Sequence, residues 1–169
     1  MPIIESRIDT NGESFRSNRE QMLVLIEEFR ALEQKVRDLS NAKRATFVKR
    51  GQLPPRERVA MLLDRGAPWL ELSTLAGYRM HDDDGLGGIQ GGGGIAGVGY
   101  VSGIRCVIAA SDSGIKGGTT APRGLKKNLR VQQIAMENKL PIVRLVESGG
   151  ATLLYHAEIF VEGGRGFAN

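Results

Sequence analysis

Leu140-Pro141-Ile142-Val143-Arg144-Leu145-Val146-Glu147-Ser148-Gly149-Gly150-Ala151 is the stretch on which the fold turns. Pro141 opens a run of β-branched and aliphatic residues, Ile142 to Val146, that reads as a buried strand. Glu147-Ser148-Gly149-Gly150 breaks the run, and Ala151 to Phe160 reads as a helix. Strand, glycine turn and helix in that order would aim the unpartnered first N–H groups of the helix at open space, where the helix dipole adds partial positive charge. Two glycines let a ligand oxygen come close to the backbone. Such a turn can bind phosphate or stabilise an oxyanion.

The same order occurs once upstream. Gly97-Val98-Gly99-Tyr100-Val101 alternates, Ser102-Gly103 turns, and Ile104 to Ala110 reads as the fully buried second arm of a hairpin. The alternating glycines would admit another backbone or a ligand. Ser111 to Thr120 is then a second glycine turn after a strand, followed by a helix from about Gly124 to Asn138. Leu125, Leu129, Gln132 and Met136 share one face of that helix, with Lys126, Lys127 and Arg130 on or near its other faces. From Val98 the order is strand, strand, glycine turn, helix, strand, glycine turn, helix. This is α/β logic, with helices crossing between strands of one sheet.

Upstream of the hairpin, residues 1–13 read as a loosely attached lead. Ser17-Asn18-Arg19-Glu20 has the spacing of a capping box that would start a long amphipathic helix. Its stripe, Met22, Leu25, Ile26, Phe29, Leu32, Val36 and Leu39, predicts packing, as domain core or as a subunit contact. Lys43, Arg44, Lys49 and Arg50 form either a solvated linker or a surface facing ligand phosphates. Pro54-Pro55 opens a short helix, Arg56 to Asp64, with Gly66 as its C-terminal cap, and Trp69 to Leu72 reads as a strand. Residues 1–53 thus form a lead and helix, and residues 54–169 an incomplete α/β domain. The ending at Asn169 leads us to expect an N-terminal piece of a longer protein.

Composition narrows the function. Apolar and charged fractions of 41% and 25% are those of a soluble globular protein, and no run approaches a membrane span. A net charge of +4, without aromatics interleaved with arginine, argues against nucleic acid and suits a small anionic ligand. The single cysteine, Cys106, lies in an apolar run and reads as core. It leaves no disulfide within the chain and points to a reducing, cytoplasmic setting. Nine of the 23 glycines fall between Gly85 and Gly99, which marks a loop system. His81-Asp82-Asp83-Asp84 precedes it and reads as a solvated loop more readily than as a metal site; we expect no metal in this chain.

Familiar catalytic patterns fail on spacing. Gly97 to Ser102 lacks the third glycine of a dinucleotide fingerprint and leads into a strand, and no phosphate-binding G-x-x-x-x-G-K-[ST] occurs. Ser148 sits where a hydrolase nucleophile would, but Val146 replaces the first glycine of that elbow, and His156 is poorly placed as its partner. Asp112 and Glu147 are open as an acid/base pair or as capping groups. What survives is two glycine turns, each able to donate a backbone N–H to one oxygen. By analogy with measured donors, each is worth roughly 3–4 kcal/mol in a barrier that passes through an oxyanion.

At these turns the sequence resembles the carboxyltransferase (β) subunits of biotin-dependent acyl-CoA carboxylases. The blocks are Arg56 to Asp64, Glu71-Leu72-Ser73, Ala76-Gly77-Tyr78, Val101-Ser102-Gly103, Ala110-Ser111-Asp112, Lys116-Gly117-Gly118, Lys126 to Ala135 and Leu145 to Ala151. They cover roughly residues 54–169, and their order is what makes the match specific. Lys-Gly-Gly at 116–118 and Ala-Gly-Tyr at 76–78 are closer to the 3-methylcrotonyl- or geranyl-CoA branch than to the propionyl-CoA branch.

The resemblance implies a crotonase-like ββα superhelix preceded by the amphipathic helix. In the family an N-terminal domain binds acyl-CoA and a C-terminal domain binds carboxybiotin, so the cofactor is biotin carried on a partner domain or subunit. The biotin ureido nitrogen takes the proton and the acyl-CoA enolate attacks CO₂, so no side chain need act as base. The thioester oxyanion would lie between Gly117-Gly118 and Gly149-Gly150-Ala151, with Lys116, Thr119, Arg123, Lys126 and Lys127 as candidates for CoA contacts. The implied partners are acyl-CoA, the biotin carboxylase and biotin carboxyl carrier subunit, and further copies of the full-length subunit, with no nucleic acid and no membrane.

This chain is richer in glycine at Gly85, Gly87, Gly88 and Gly91 to Gly94 than the family pattern. Arg144, Thr152, Leu153 and Leu154 flank the turn where the family reads its acyl group. Lacking the biotin half, the 169-residue chain alone is expected to be inactive. Two rivals remain: a crotonase-like hydratase or hydrolase using Glu158 or Glu162, and a non-catalytic assembly or CoA-binding module using the Met22–Leu39 helix.

Overall fold

The elements run α1 (Glu13–Asn41), α2 (Arg44–Lys49), α3 (Pro55–Leu62), β1 (Leu70–Glu71), β2 (Gly94–Val101), β3 (Ile104–Ser111), α4 (Pro122–Glu137), β4 (Ile142–Leu145), α5 (His156–Gly163) and α6 (Arg165–Ala168). This computed structural model describes residues 6, 8–80 and 90–168, in two units, Met1–Gln34 and Lys35–Asn169. His81 to Asp84 and the glycines at 85, 87 and 88 lie outside the described residues.

The four strands form one sheet in the order β1-β2-β3-β4. The expected hairpin is β2–β3, antiparallel from Gly94↔Ser111 to Val101↔Ile104. Its turn has Ser102 at φ 52° and Gly103 at φ 77°, the backbone of a two-residue turn whose twist suits the strands. Asp64 fastens it by accepting the N–H groups of Ser102 at 2.8 Å and Gly103 at 2.7 Å. From β3 the chain crosses through α4 to β4, which lies parallel to β3 with Val107↔Ile142 and Ala110↔Leu145.

β3 is apolar without alternation because both its faces are covered. Cys106, Ile108 and Ala110 pack on one side with Ile95 and Val59 of α3; Val107 and Ala109 pack on the other with Val131 and Ala135 of α4. The alternating glycines admit another backbone, as expected, and a side chain: a Cβ at Gly97 would meet the Leu70 carbonyl of β1. Cβ atoms at Gly97 and Gly99 would collide with the Trp69 ring, which lies across them.

Several local expectations are corrected. α1 begins at Glu13, so Ser17 lies inside it, where its hydroxyl accepts from Gln21 Nε2. In its apolar stripe Val36 is buried, and Met22, Leu25 and Phe29 are 56%, 57% and 49% exposed. The basic segment is helix α2, anchored by buried Phe47, rather than a linker. α3 ends at Leu62 with Leu63 as its C-cap, and Gly66, at φ 76°, serves the turn beyond. β4 is half-buried rather than buried: it pairs with β3 on one edge, and Val146 beyond it is 73% exposed.

Candidate active site

Because β3 and β4 are parallel, both glycine turns leave from the same end of the sheet. The first turn holds three successive left-handed residues, Lys116, Gly117 and Gly118, at φ 44°, 67° and 74°. In the second, Gly150 stands at φ 96°. The turns touch. A Cβ on Gly118 would run into the Glu147 carbonyl, and one on Gly149 would lie 2.9 Å from Gly117 O and 3.0 Å from Thr119 Oγ1. Only glycine allows this approach.

A short parallel ladder ties them further: Thr120 N–H donates to Gly150 O at 2.8 Å, and Thr152 N–H to Thr120 O at 3.0 Å, around the Thr120↔Ala151 pair. This ladder corrects the expected helix from Ala151. Ala151 is held in the bridge and Thr152 is extended, a 3₁₀ turn covers Leu153–Tyr155, and α5 starts only at His156. The second turn therefore offers its own N–H groups rather than those of a helix N-terminus. On the other side of the site, α4 starts at Pro122, two residues earlier than expected.

Among the candidate donors, Gly118 N–H is bonded to Ile115 O and Gly150 N–H to Ser148 Oγ. Gly117, Gly149 and Ala151 N–H have no acceptor among the described residues, which leaves one donor on the first turn and two on the second.

The two carboxylates nearest the turns do not pair with each other. Asp112 is buried, its Oδ1 accepting from Ser40 Oγ at 2.9 Å. Burial pushes its carboxyl above the usual range, against the opposing pull of the Ser40 hydrogen bond and the Arg56 charge. Glu147 is held by Arg58 Nη2 and Ser113 Oγ, each at 2.7 Å. Neither is poised as a base. Of the acids considered further along, Glu162 pairs with Arg165 at 3.1 Å and Glu158 is exposed.

The cations separate into three places. Lys127, expected on an outer face, is buried, and its ammonium donates to Gly91 O at 3.0 Å and Gly94 O at 2.7 Å. Burial lowers its pKa to about 8; Glu71 and Asp112 counter this, while Arg56 adds to it. It fastens the glycine loop to α4 and is not presented to a phosphate. With Ser111, Gly118, Thr120, Asn128 and Arg144 it lines a small cavity of about 70 Å³. Lys126 is exposed and lines a separate groove with Arg130, Gln133, Glu162 and Arg165. Arg123 is half-buried, and its Nε has no hydrogen-bond partner; Thr119 Oγ1 donates to Lys116 O at 2.8 Å.

The third place is a cavity of about 460 Å³ lined by Lys43, Thr46, Phe47, Arg50, Ser113, Gly117, Glu147 and Ser148. Here α2 brings two cations of the basic segment beside both glycine turns. Arg58 and Ser113 were not singled out from sequence. Arg58 falls within a quoted family block, but nothing local announces that it would meet a glutamate 89 positions away, from 58 to 147. No cluster of three or more potential metal ligands occurs among the described residues, and no helix among them is long and apolar enough to cross a membrane.

A hairpin followed by a crossover helix and a parallel strand, with two glycine turns meeting at one end of the parallel pair, is the ββα unit of the crotonase-like class. Within that class the chain belongs to the carboxyl transferase domain family, which it matches over residues 46–169. It is 37% identical over 159 residues to the probable methylcrotonoyl-CoA carboxylase beta chain, mitochondrial, of Drosophila melanogaster, covering 94% of this chain and 27% of that one. It is 48% identical over 119 residues to the biotin-dependent 3-methylcrotonyl-coenzyme A carboxylase beta1 subunit of Mycobacterium tuberculosis, covering 69% and 21%. The crystal structure of the P. aeruginosa geranyl-CoA carboxylase beta subunit superposes with a TM-score of 0.88 and 62% identity, over 99% of this chain and 31% of that one. The chain thus spans 21% to 27% of the length of these two curated relatives.

Proposed function

We propose that this chain is the acyl-CoA-binding portion of a biotin-dependent carboxyltransferase, acting on a 3-methylcrotonyl-like acyl-CoA. The observation that carries this reading is the meeting of two glycine turns with unpaired Gly117, Gly149 and Ala151 N–H groups beside a cavity bearing Lys43 and Arg50. The N–H groups would bind the thioester oxygen more tightly as it gains charge in the enolate, which lowers the barrier to enolisation. Lys43 and Arg50 would hold CoA phosphates, and α2 is the element that brings them there. Biotin, carried on a partner domain or subunit, would supply the carboxyl group and the nitrogen base. From a 3-methylcrotonyl thioester the proton lost is on the γ-carbon, because only that loss leaves a charge conjugated to the thioester oxygen. The engaged states of Asp112 and Glu147 fit a base from outside this chain. The names of the relatives favour the 3-methylcrotonyl or geranyl branch, in line with Lys116-Gly117-Gly118 and Ala76-Gly77-Tyr78.

Calorimetric titration of the chain with CoA, acetyl-CoA and 3-methylcrotonyl-CoA tests the reading. We expect binding of all three, tightest for 3-methylcrotonyl-CoA, and weakened by Gly150→Val, which forces a β-branched residue into φ 96°. Absence of CoA binding, together with self-association lost on Leu25→Asp, would favour an assembly module instead.

A further inference from the structure

Neither glycine turn is held in place by its own backbone alone. Glu147 lies between them: its N–H donates to Ser111 Oγ at 3.2 Å, and its Oε2 accepts from Ser113 Oγ at 2.7 Å. The same oxygen pairs with Arg58 Nη2 at 2.7 Å, and Arg58 also donates to the Ser111 carbonyl at 3.5 Å. The Glu147 carbonyl in turn forms the wall against which Gly118 packs. Groups from α3, from the end of β3 and from the first turn therefore converge on one residue of the second turn. The Arg58 and Glu147 side chains are 24% and 33% exposed, partly withdrawn from solvent screening.

We propose that Glu147, clamped by Arg58 and Ser113, is a positioning residue that sets the separation of the two glycine turns and so the spacing of the N–H donors offered to the enolate oxygen. The proposal rests on the acyl-CoA reading above. An oxyanion is stabilised only by donors lying about 2.7–3.1 Å from where its oxygen will sit, so a small change in turn separation matters more to the charged enolate than to the neutral thioester. Glu147 acts through the backbone of the turns, not by taking a proton.

The test compares the 169-residue chain with Glu147→Gln, which keeps size but removes the charge, and with Ser113→Ala. Two ligands are used: 3-methylcrotonyl-CoA, and a CoA thioether carrying a nitronate, which has the charge of the enolate. We expect the unaltered chain to prefer the nitronate. Each variant should lose about tenfold on the nitronate and less than about twofold on the thioester. Equal losses on both ligands, or none on either, would overturn the clamp.

Amide exchange judges the clamp without any ligand. Exchange at residues 113–120 and 147–151 should quicken in both variants while β2 and β3 stay protected; unchanged exchange would overturn the proposal. A native chain that binds both ligands alike would sink the oxyanion reading, leaving exchange to decide the clamp. If Glu147→Gln does not fold, Ser113→Ala carries both comparisons.

Discussion

Lys127 shows how a single residue can belong to the architecture while looking like a ligand contact. Its sequence neighbourhood, a cationic helix after a glycine turn, suggests phosphate. What decides its role is two carbonyl oxygens, Gly91 O and Gly94 O, that are 36 and 33 positions away and follow no local pattern. Its pKa near 8 lies below the ordinary 10.5, so between those values the unfolded chain binds more protons than the folded one. The burial penalty on the ammonium is therefore full below pH 8 and fades as the pH rises. Relative to Lys127→Met, stability in urea should rise between pH 8 and 10.5, by up to about 3 kcal/mol. A pH-independent difference would contradict this. Gly118 and Gly117 separate space from strain in the same way. Gly118→Ala must displace the Glu147 carbonyl and hold φ 74°, and should cost about 3 kcal/mol; Gly117→Ala meets nothing within 4 Å and should cost about 1 kcal/mol. Thermal unfolding of the two variants checks the order.

The elements were legible where their signal is local. Alternation before Ser102-Gly103 specifies β2, and the continuous apolar run after it specifies β3, whose two faces are both covered. The start of α5 was not legible, because the Thr120–Ala151 ladder that keeps Ala151 and Thr152 out of the helix joins segments whose pairing no helical propensity reports. The stripe on α1 is legible as an apolar face, but periodicity does not report what covers it, and Met22, Leu25 and Phe29 are exposed in the single chain. Two outcomes follow at this scale. Asp64→Ala removes two charge-assisted bonds from the hairpin turn and should cost about 1–2 kcal/mol in urea unfolding with an unchanged slope. Leu25→Asp should change the stability of the chain by less than about 0.5 kcal/mol; a loss of several would show that this face is covered.

At the scale of the whole molecule, α2, α3 and the two strand ends bring together what the sequence keeps apart. Lys43 and Arg50 reach the same cavity as Gly117 and Ser148, and Arg58 reaches Glu147. The family blocks named the turns; the cavity adds the basic segment that sequence left open between linker and ligand surface. Lys43→Ala and Arg50→Ala should each weaken CoA binding about three- to tenfold, with a shallower salt dependence, whereas Lys127→Met should leave that salt dependence alone. The central claim is that free N–H groups of the paired turns hold the thioester oxygen. At 18.3 kDa the chain suits amide NMR, and titration with 3-methylcrotonyl-CoA against CoA alone tests the claim most directly. The account predicts downfield shifts of the Gly117 amide proton and of Gly149 or Ala151 with the thioester but not with CoA alone. Equal shifts from both ligands, or none at these amides, would contradict it.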